Sequence, residues 1–147
     1  MLEITKEFTF DSAHMLPNHE GKCRNLHGHT YKLQITITSR GIVSQGPEEG
    51  MLIDFGNLSR IIKESVVEPW DHAFLCNTTS NNAFEKELED LCLRYKKKIV
   101  LLDYEPTAEL MVLKIRDILQ KAMAPTRVYP SRIRLYETPT SYAEWHI

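Results

Sequence analysis

The sequence predicts an α+β fold in which an antiparallel sheet carries its helices on one face. Three observations lead there. Residues 30–38 alternate apolar and polar side chains, residues 132–136 do the same near the other end, and the segments between them repeat apolar residues at helical spacing. At 147 residues the chain can bury one hydrophobic core and is short for two, so residues 1–147 are expected to form a single domain.

In chain order, Leu2 to His14 is rich in Ile, Thr and Phe and reads as a strand that ends before Pro17. A polar loop with Pro17, Asn18 and Gly21 follows. From Thr30 to Thr38 a second strand sets Tyr31, Leu33, Ile35 and Ile37 on one face and Lys32, Gln34, Thr36 and Thr38 on the other. After a turn-rich stretch from Gly41 to Gly50, Leu58, Ile61, Ile62, Ser65 and Val66 mark one face of a helix, with Asp54 or Asn57 as its cap and Pro69 as its stop.

Phe84, Leu88, Leu91, Cys92 and Tyr95 predict an inserted helix near residues 82–98, followed by a short apolar run from Ile99 to Leu102. Thr107 caps the second main helix, which offers Leu110, Met111, Ile115, Ile118 and Leu119 for burial and ends near Pro125. Ile133 and Leu135 alternate with Arg132, Arg134 and Tyr136 in a third strand, and Tyr142 to Ile147 is a short fourth.

Eighteen basic against 20 acidic residues leave no positive excess, and the Lys96–Lys98 run stands apart from any aromatic stripe, so a nucleic-acid partner is not expected. Three widely spaced cysteines, Cys23, Cys76 and Cys92, argue against a disulfide framework and fit a reducing compartment. The first residues lack the basic head and apolar stretch of a signal peptide, and no apolar run approaches membrane-spanning length. A cytoplasmic protein that does not enter membranes is the expectation.

His27–Gly28–His29 sets two imidazoles at i and i+2, which point the same way on a strand. With His14, at the end of the neighbouring first strand, they match the three-ligand set of a catalytic zinc site that keeps one position open. The plainer reading is two hydrogen-bonding residues of a strand. Gly28 between them leaves room for another backbone or a ligand.

Cys23 precedes His27 by four residues. A thiol becomes a general base only where positive potential favours its thiolate, and Arg24 or a metal at His27 and His29 are candidate sources. Cys23 reads equally as a fourth ligand closing a structural zinc site, or as a buried small hydrophobe.

Asp71–His72 is either an acid–base pair, in which the carboxylate fixes the imidazole tautomer, or a solvated loop pair. Glu109 beside the cap Thr107 reads first as a helix-dipole acid. Glu137, closing the strand that runs to Tyr136, reads as a ligand contact at a sheet end or a solvated terminus.

The collinear motifs Phe10–His14, Cys23–His29, Ile53–Phe55, Trp70–Leu75, Glu105–Glu109 and Tyr136–Thr138 together resemble the 6-pyruvoyl-tetrahydropterin synthase family, from Phe8 to about Tyr142. The resemblance implies the tunnelling fold: a four-stranded antiparallel sheet with two main helices on one face, subunits joining their sheets into a barrel, and a homohexamer of two trimers. It implies Zn2+ on His14, His27 and His29, Cys23 as catalytic base, and His72 as its relay partner with Asp71 behind it. Glu137 is implied as the carboxylate that anchors the pterin ring and joins the proton relay, with Glu109 and Thr107 beside the substrate.

Three residues separate Cys23 from His27–Gly28–His29, which resembles the 6-carboxy-tetrahydropterin synthases of queuosine and other 7-deazapurine biosynthesis; five resemble the biopterin-pathway enzymes. Relatives that bypass a step of folate synthesis carry glutamate at the position of Cys23. The expected reaction is conversion of 7,8-dihydroneopterin triphosphate to 6-carboxy-tetrahydropterin, acetaldehyde and triphosphate. The alternatives are a 6-pyruvoyl-tetrahydropterin synthase, which keeps the three-carbon side chain, or a non-catalytic zinc- or pterin-binding protein. One departure stands out: Cys76 to Asp103 is longer than compact family members need, and an overhang of the pocket there would alter substrate choice.

Overall fold

The computed structural model describes residues 1–147. Six strands form one mixed sheet: β1 (Glu3–His14), β2 (His27–Ser39), β3 (Ala73–Asn77), β4 (Ile99–Leu102), β5 (Val128–Thr138) and β6 (Ser141–His146). Their order across the sheet is β4-β3-β1-β2-β5-β6. The β1–β2, β2–β5 and β5–β6 pairs are antiparallel, whereas β1–β3 and β3–β4 are parallel.

The expected sheet of four antiparallel strands is therefore corrected to six mixed strands, and the two missed ones form one edge. All five residues of β3 are buried, so no apolar–polar alternation marks it. In β4, four consecutive apolar residues are too few to define a period.

Between these parallel strands runs α3 (Ala83–Arg94), the inserted helix, shorter than expected and capped by Asn82, whose Oδ1 accepts from the Glu85 N–H at 3.0 Å. The insertion is thus a strand–helix–strand crossover at the sheet edge.

The helices α1 (Phe55–Ile62) and α4 (Ala108–Met123) lie on one sheet face. Asp54 caps α1, its Oδ1 accepting from Gly56 N–H at 2.8 Å and Asn57 N–H at 3.1 Å. The helical run continues from α1 through a π turn (Lys63–Val67) into α2 (Glu68–Trp70) and ends one residue after Pro69, where Asp71 turns to extended backbone. Lys98 Nζ donates to the exposed carbonyls of Glu68 at 2.5 Å and Asp71 at 2.6 Å, tying this helix end to the start of β4.

The core fills the space between sheet and helices. Phe8, Phe10, Leu33, Ile35, Ile133 and Leu135 meet Leu58, Ile62, Val66 and Trp70 from one side and Met111, Ile115 and Leu119 from the other. At the end of β1 and the start of β2 the inward positions become polar: Ser12, His14, His27 and His29 continue the stripe that Phe10 and Tyr31 begin.

Candidate active site

The hairpin register builds the histidine cluster. His14 lies directly across from His27 and Ser12 across from His29, so the three imidazoles share one face. Gly28 makes the pairing tight, because a Cβ there would come within 3.1 Å of the Ser12 carbonyl oxygen. The ring centroids of the cluster are 4.6 to 5.0 Å apart.

Backbone carbonyls set the tautomers. His14 Nδ1 is 2.8 Å from the Pro106 carbonyl oxygen and His27 Nδ1 is 2.7 Å from that of Asn25. A carbonyl only accepts, so both Nδ1 atoms carry hydrogen and both neutral rings present a bare Nε2. Those two Nε2 atoms face each other at 3.1 Å.

Burial, ahead of the neighbouring imidazoles, pushes His14 down to about 4, so at neutral pH the His14 Nε2 is a bare lone pair. The Nε2 of His29 is buried without any hydrogen-bond partner. One ring nitrogen from each histidine lies within 4.8 Å of the others, which fits a divalent ion, since tetrahedral ligands at about 2.0–2.1 Å lie about 3.4 Å apart. The Cys23 thiol stands outside this group.

Cys23 sits half-buried in a single 3-10 turn, Lys22–Arg24, closed against β1 by the Leu16 N–H to Cys23 carbonyl bond of 2.9 Å. It lines a cavity of about 560 Å³ together with Thr107, Glu109 and Glu137. Thr107 caps α4, its Oγ1 accepting from the Leu110 N–H at 3.4 Å, which fixes Glu109 in the first turn.

Glu137 falls where the β5–β6 register slips between Tyr136 and Thr138. Such a bulge re-aims a side chain, and the Glu137 Oε1 comes within 3.7 Å of His29 Nε2. The cavity thus abuts the histidine cluster.

Asp71 and His72 are elsewhere. Asp71 accepts the Asp11 N–H at 2.9 Å and holds His72 Nδ1 at 2.9 Å, and the Asp11 N–H bond above all keeps its carboxyl below the usual range. His72 has φ 57° and is exposed, turning the chain from α2 into β3. It lines a second groove with Asp11, Ser12, Gly28, His29 and Thr30, which borders the histidine cluster at His29 and does not include Cys23. Within one chain Cys23 and His72 do not share a cavity.

A family profile described as 6-pyruvoyl tetrahydropterin synthase matches residues 3–146, nearly the whole chain and every element of the site. The chain belongs to the 6-pyruvoyl tetrahydropterin synthase family. Within that family it is 41% identical over 145 residues to a 6-carboxy-5,6,7,8-tetrahydropterin synthase of Haemophilus influenzae, covering 99% of both chains. A protein of the same name from Rickettsia bellii is 31% identical, with 98% of this chain and 99% of that one aligned.

The family fold recurs in solved structures. An uncharacterized protein of Wolinella succinogenes superposes with a TM-score of 0.80 at 23% identity, over 99% of this chain and 97% of that one. The Caenorhabditis elegans 6-pyruvoyl tetrahydropterin synthase does so with a TM-score of 0.67 at 21% identity, over 99% and 95%. At such identities these two likenesses speak to fold alone.

Sequence reasoning missed several cavity walls: Leu16, His19, Leu113, Tyr142 and Trp145. Tyr142 and Trp145 carry no motif, and only the return of β6 alongside β5 brings them to the site. The insertion contributes no residue to the Cys23 cavity, so it does not overhang it.

Proposed function

We propose that the protein is a zinc-dependent 6-carboxy-5,6,7,8-tetrahydropterin synthase, a lyase that converts 7,8-dihydroneopterin triphosphate and water to 6-carboxy-tetrahydropterin, acetaldehyde and triphosphate. The observation that carries this reading is the cavity gathering Cys23, Thr107, Glu109 and Glu137 against three imidazoles whose free nitrogens converge. The names of the full-length relatives at 41% and 31% identity favour the carboxy over the pyruvoyl product. The gap of three residues between Cys23 and His27 points the same way.

In this reading His14, His27 and His29 would hold Zn2+ through one ring nitrogen each. Zinc bound there would lower the pKa of a coordinated substrate hydroxyl and make its deprotonation possible near neutrality. Cys23 takes the proton from the side-chain carbon that is being rearranged, and His72, its tautomer held by Asp71, passes a proton on. Glu137 accepts hydrogen bonds from the N–H groups of the pterin ring, with Glu109 and Thr107 lining the same pocket.

Because Cys23 and His72 line different cavities of one chain, the relay needs a second copy, whose His72 approaches the Cys23 of the first. The open edges of β4 and β6 suit a sheet continued between subunits, as in a homohexamer of two trimers. The single domain works in the cytoplasm on a 7-deazapurine (queuosine) precursor route. No helix is long and apolar enough to cross a membrane.

The test is to incubate zinc-loaded protein with freshly made 7,8-dihydroneopterin triphosphate, follow pterins by mass spectrometry and assay acetaldehyde. The 6-carboxy product with acetaldehyde supports the proposal. The pyruvoyl product without acetaldehyde moves the protein to the sister activity, and no turnover by folded, zinc-loaded protein sinks both.

A further inference from the structure

His19 is a histidine that neither the metal cluster nor the relay uses. It lies in the loop between β1 and the Cys23 turn and is exposed at the rim of the Cys23 cavity. Its Nδ1 accepts the Gly21 N–H at 2.9 Å, which leaves the ring hydrogen on Nε2. The ring lies directly over Gly21, where a Cβ would meet Cε1 at 3.0 Å and Nδ1 at 3.2 Å. Glycine at 21 thus lets the loop fold the imidazole down with a donor outward and its tautomer set.

The cavity gives that donor a task. No lysine or arginine lines it, whereas three carboxylates do: Glu109, Glu137 and Glu144. Glu144 is already held by Arg134 at 2.6 Å. Glu137 is half-buried beside His29, whereas Glu109, Glu144 and His19 are exposed, so the cavity runs from an end closed around Glu137 to an open rim. An uncharged pterin ring, rich in N–H donors, suits the closed end. A polyanionic tail is repelled from there and must leave by the rim, where His19 is the one basic side chain of this lining.

We infer that His19 is a specificity-determining substrate contact, its Nε2–H donating to a phosphate oxygen of the substrate's triphosphate tail, with Gly21 as the positioning residue that aims it. The inference rests on the triphosphate substrate proposed above.

The test uses full-length, zinc-loaded protein and the variants His19→Ala, His19→Gln and Gly21→Ala. His19→Ala should raise KM for 7,8-dihydroneopterin triphosphate about tenfold and change kcat by less than about twofold, as expected for a lost hydrogen bond to an anion that ground and transition states share. Binding of inorganic triphosphate, measured by calorimetry, should weaken in parallel. Binding of 7,8-dihydroneopterin, which lacks the tail, and zinc content should stay unchanged. His19→Gln keeps an N–H donor and should recover most of the loss, while Gly21→Ala displaces the ring and should move KM in the direction of His19→Ala.

An unchanged KM overturns the inference, as does an equal loss of affinity for the tail-less pterin, which would make His19 a support of the loop only. If the wild-type protein turns over no triphosphate substrate, the proposed activity fails by itself and the inorganic triphosphate titration decides His19. Weaker binding in His19→Ala supports the contact; equal binding, or none in the wild type, removes it.

Discussion

Replacing His27 by alanine removes one of the two Nε2 atoms that face each other at 3.1 Å, so the variant should lose metal and activity together. Metal content by mass spectrometry beside turnover checks this, and retained zinc would refute the ligand set. Cys23→Ala should keep its metal while losing about 100-fold or more in rate, because the thiol lies outside the imidazole cluster. A sharp fall in zinc would instead make Cys23 a fourth ligand. The motif spacing made these residues legible as candidates. What it did not contain is the pair of carbonyls, Pro106 and Asn25, that force both bare nitrogens inward. Pro106 reaches His14 from 92 residues away, by packing that no local pattern records.

Caps were readable at the level of elements, because a side-chain oxygen three residues before a free N–H is a local feature. Asp54 and Thr107 cap the helices for which they were expected, and Asn82 caps α3 in the same way without having been singled out. Asp54→Ala should lower stability by about 1 kcal/mol, seen as a lower urea midpoint with unchanged slope. The inserted helix α3 carries Glu85, fully buried, with Oε1 accepting from the Asn77 N–H at 3.1 Å and Oε2 without a partner.

Desolvation, with Glu105 and Glu89 adding repulsion, pushes the Glu85 carboxyl up from its usual 4.5. A folded value above the unfolded one means stability present at low pH and lost as pH rises from 4.5 through the raised value. Glu85→Gln keeps the acceptor and removes the charge, so it should match the wild type near pH 4 and exceed it increasingly toward pH 7 in urea unfolding. A difference independent of pH would contradict this. The strands β3 and β4 were not legible, because burial on both faces and four-residue length remove the alternation that marks a strand.

For the whole molecule, the separation of Cys23 from His72 makes assembly a condition of activity in the proposed mechanism. Cys23→Ala and His72→Ala should each be inactive alone, the latter with its zinc retained. Co-expressed, they should regain part of the wild-type rate, since some mixed sites would combine an intact Cys23 with an intact His72 from a neighbour. No recovery in verified mixed oligomers would place both residues of each site in one chain. The sequence by itself determined the class of fold, the central β1–β2 pairing and the residue types of the site, because these rest on periodicity, caps and short motifs within reach of neighbours in the chain. Tertiary structure alone decided the parallel edge of the sheet, the bulge that turns Glu137 toward His29, the walls Tyr142 and Trp145, and the placing of Cys23 and His72 in different cavities. Each of those depends on which distant segments pack together, and that follows from burying one shared core rather than from any local run of residues.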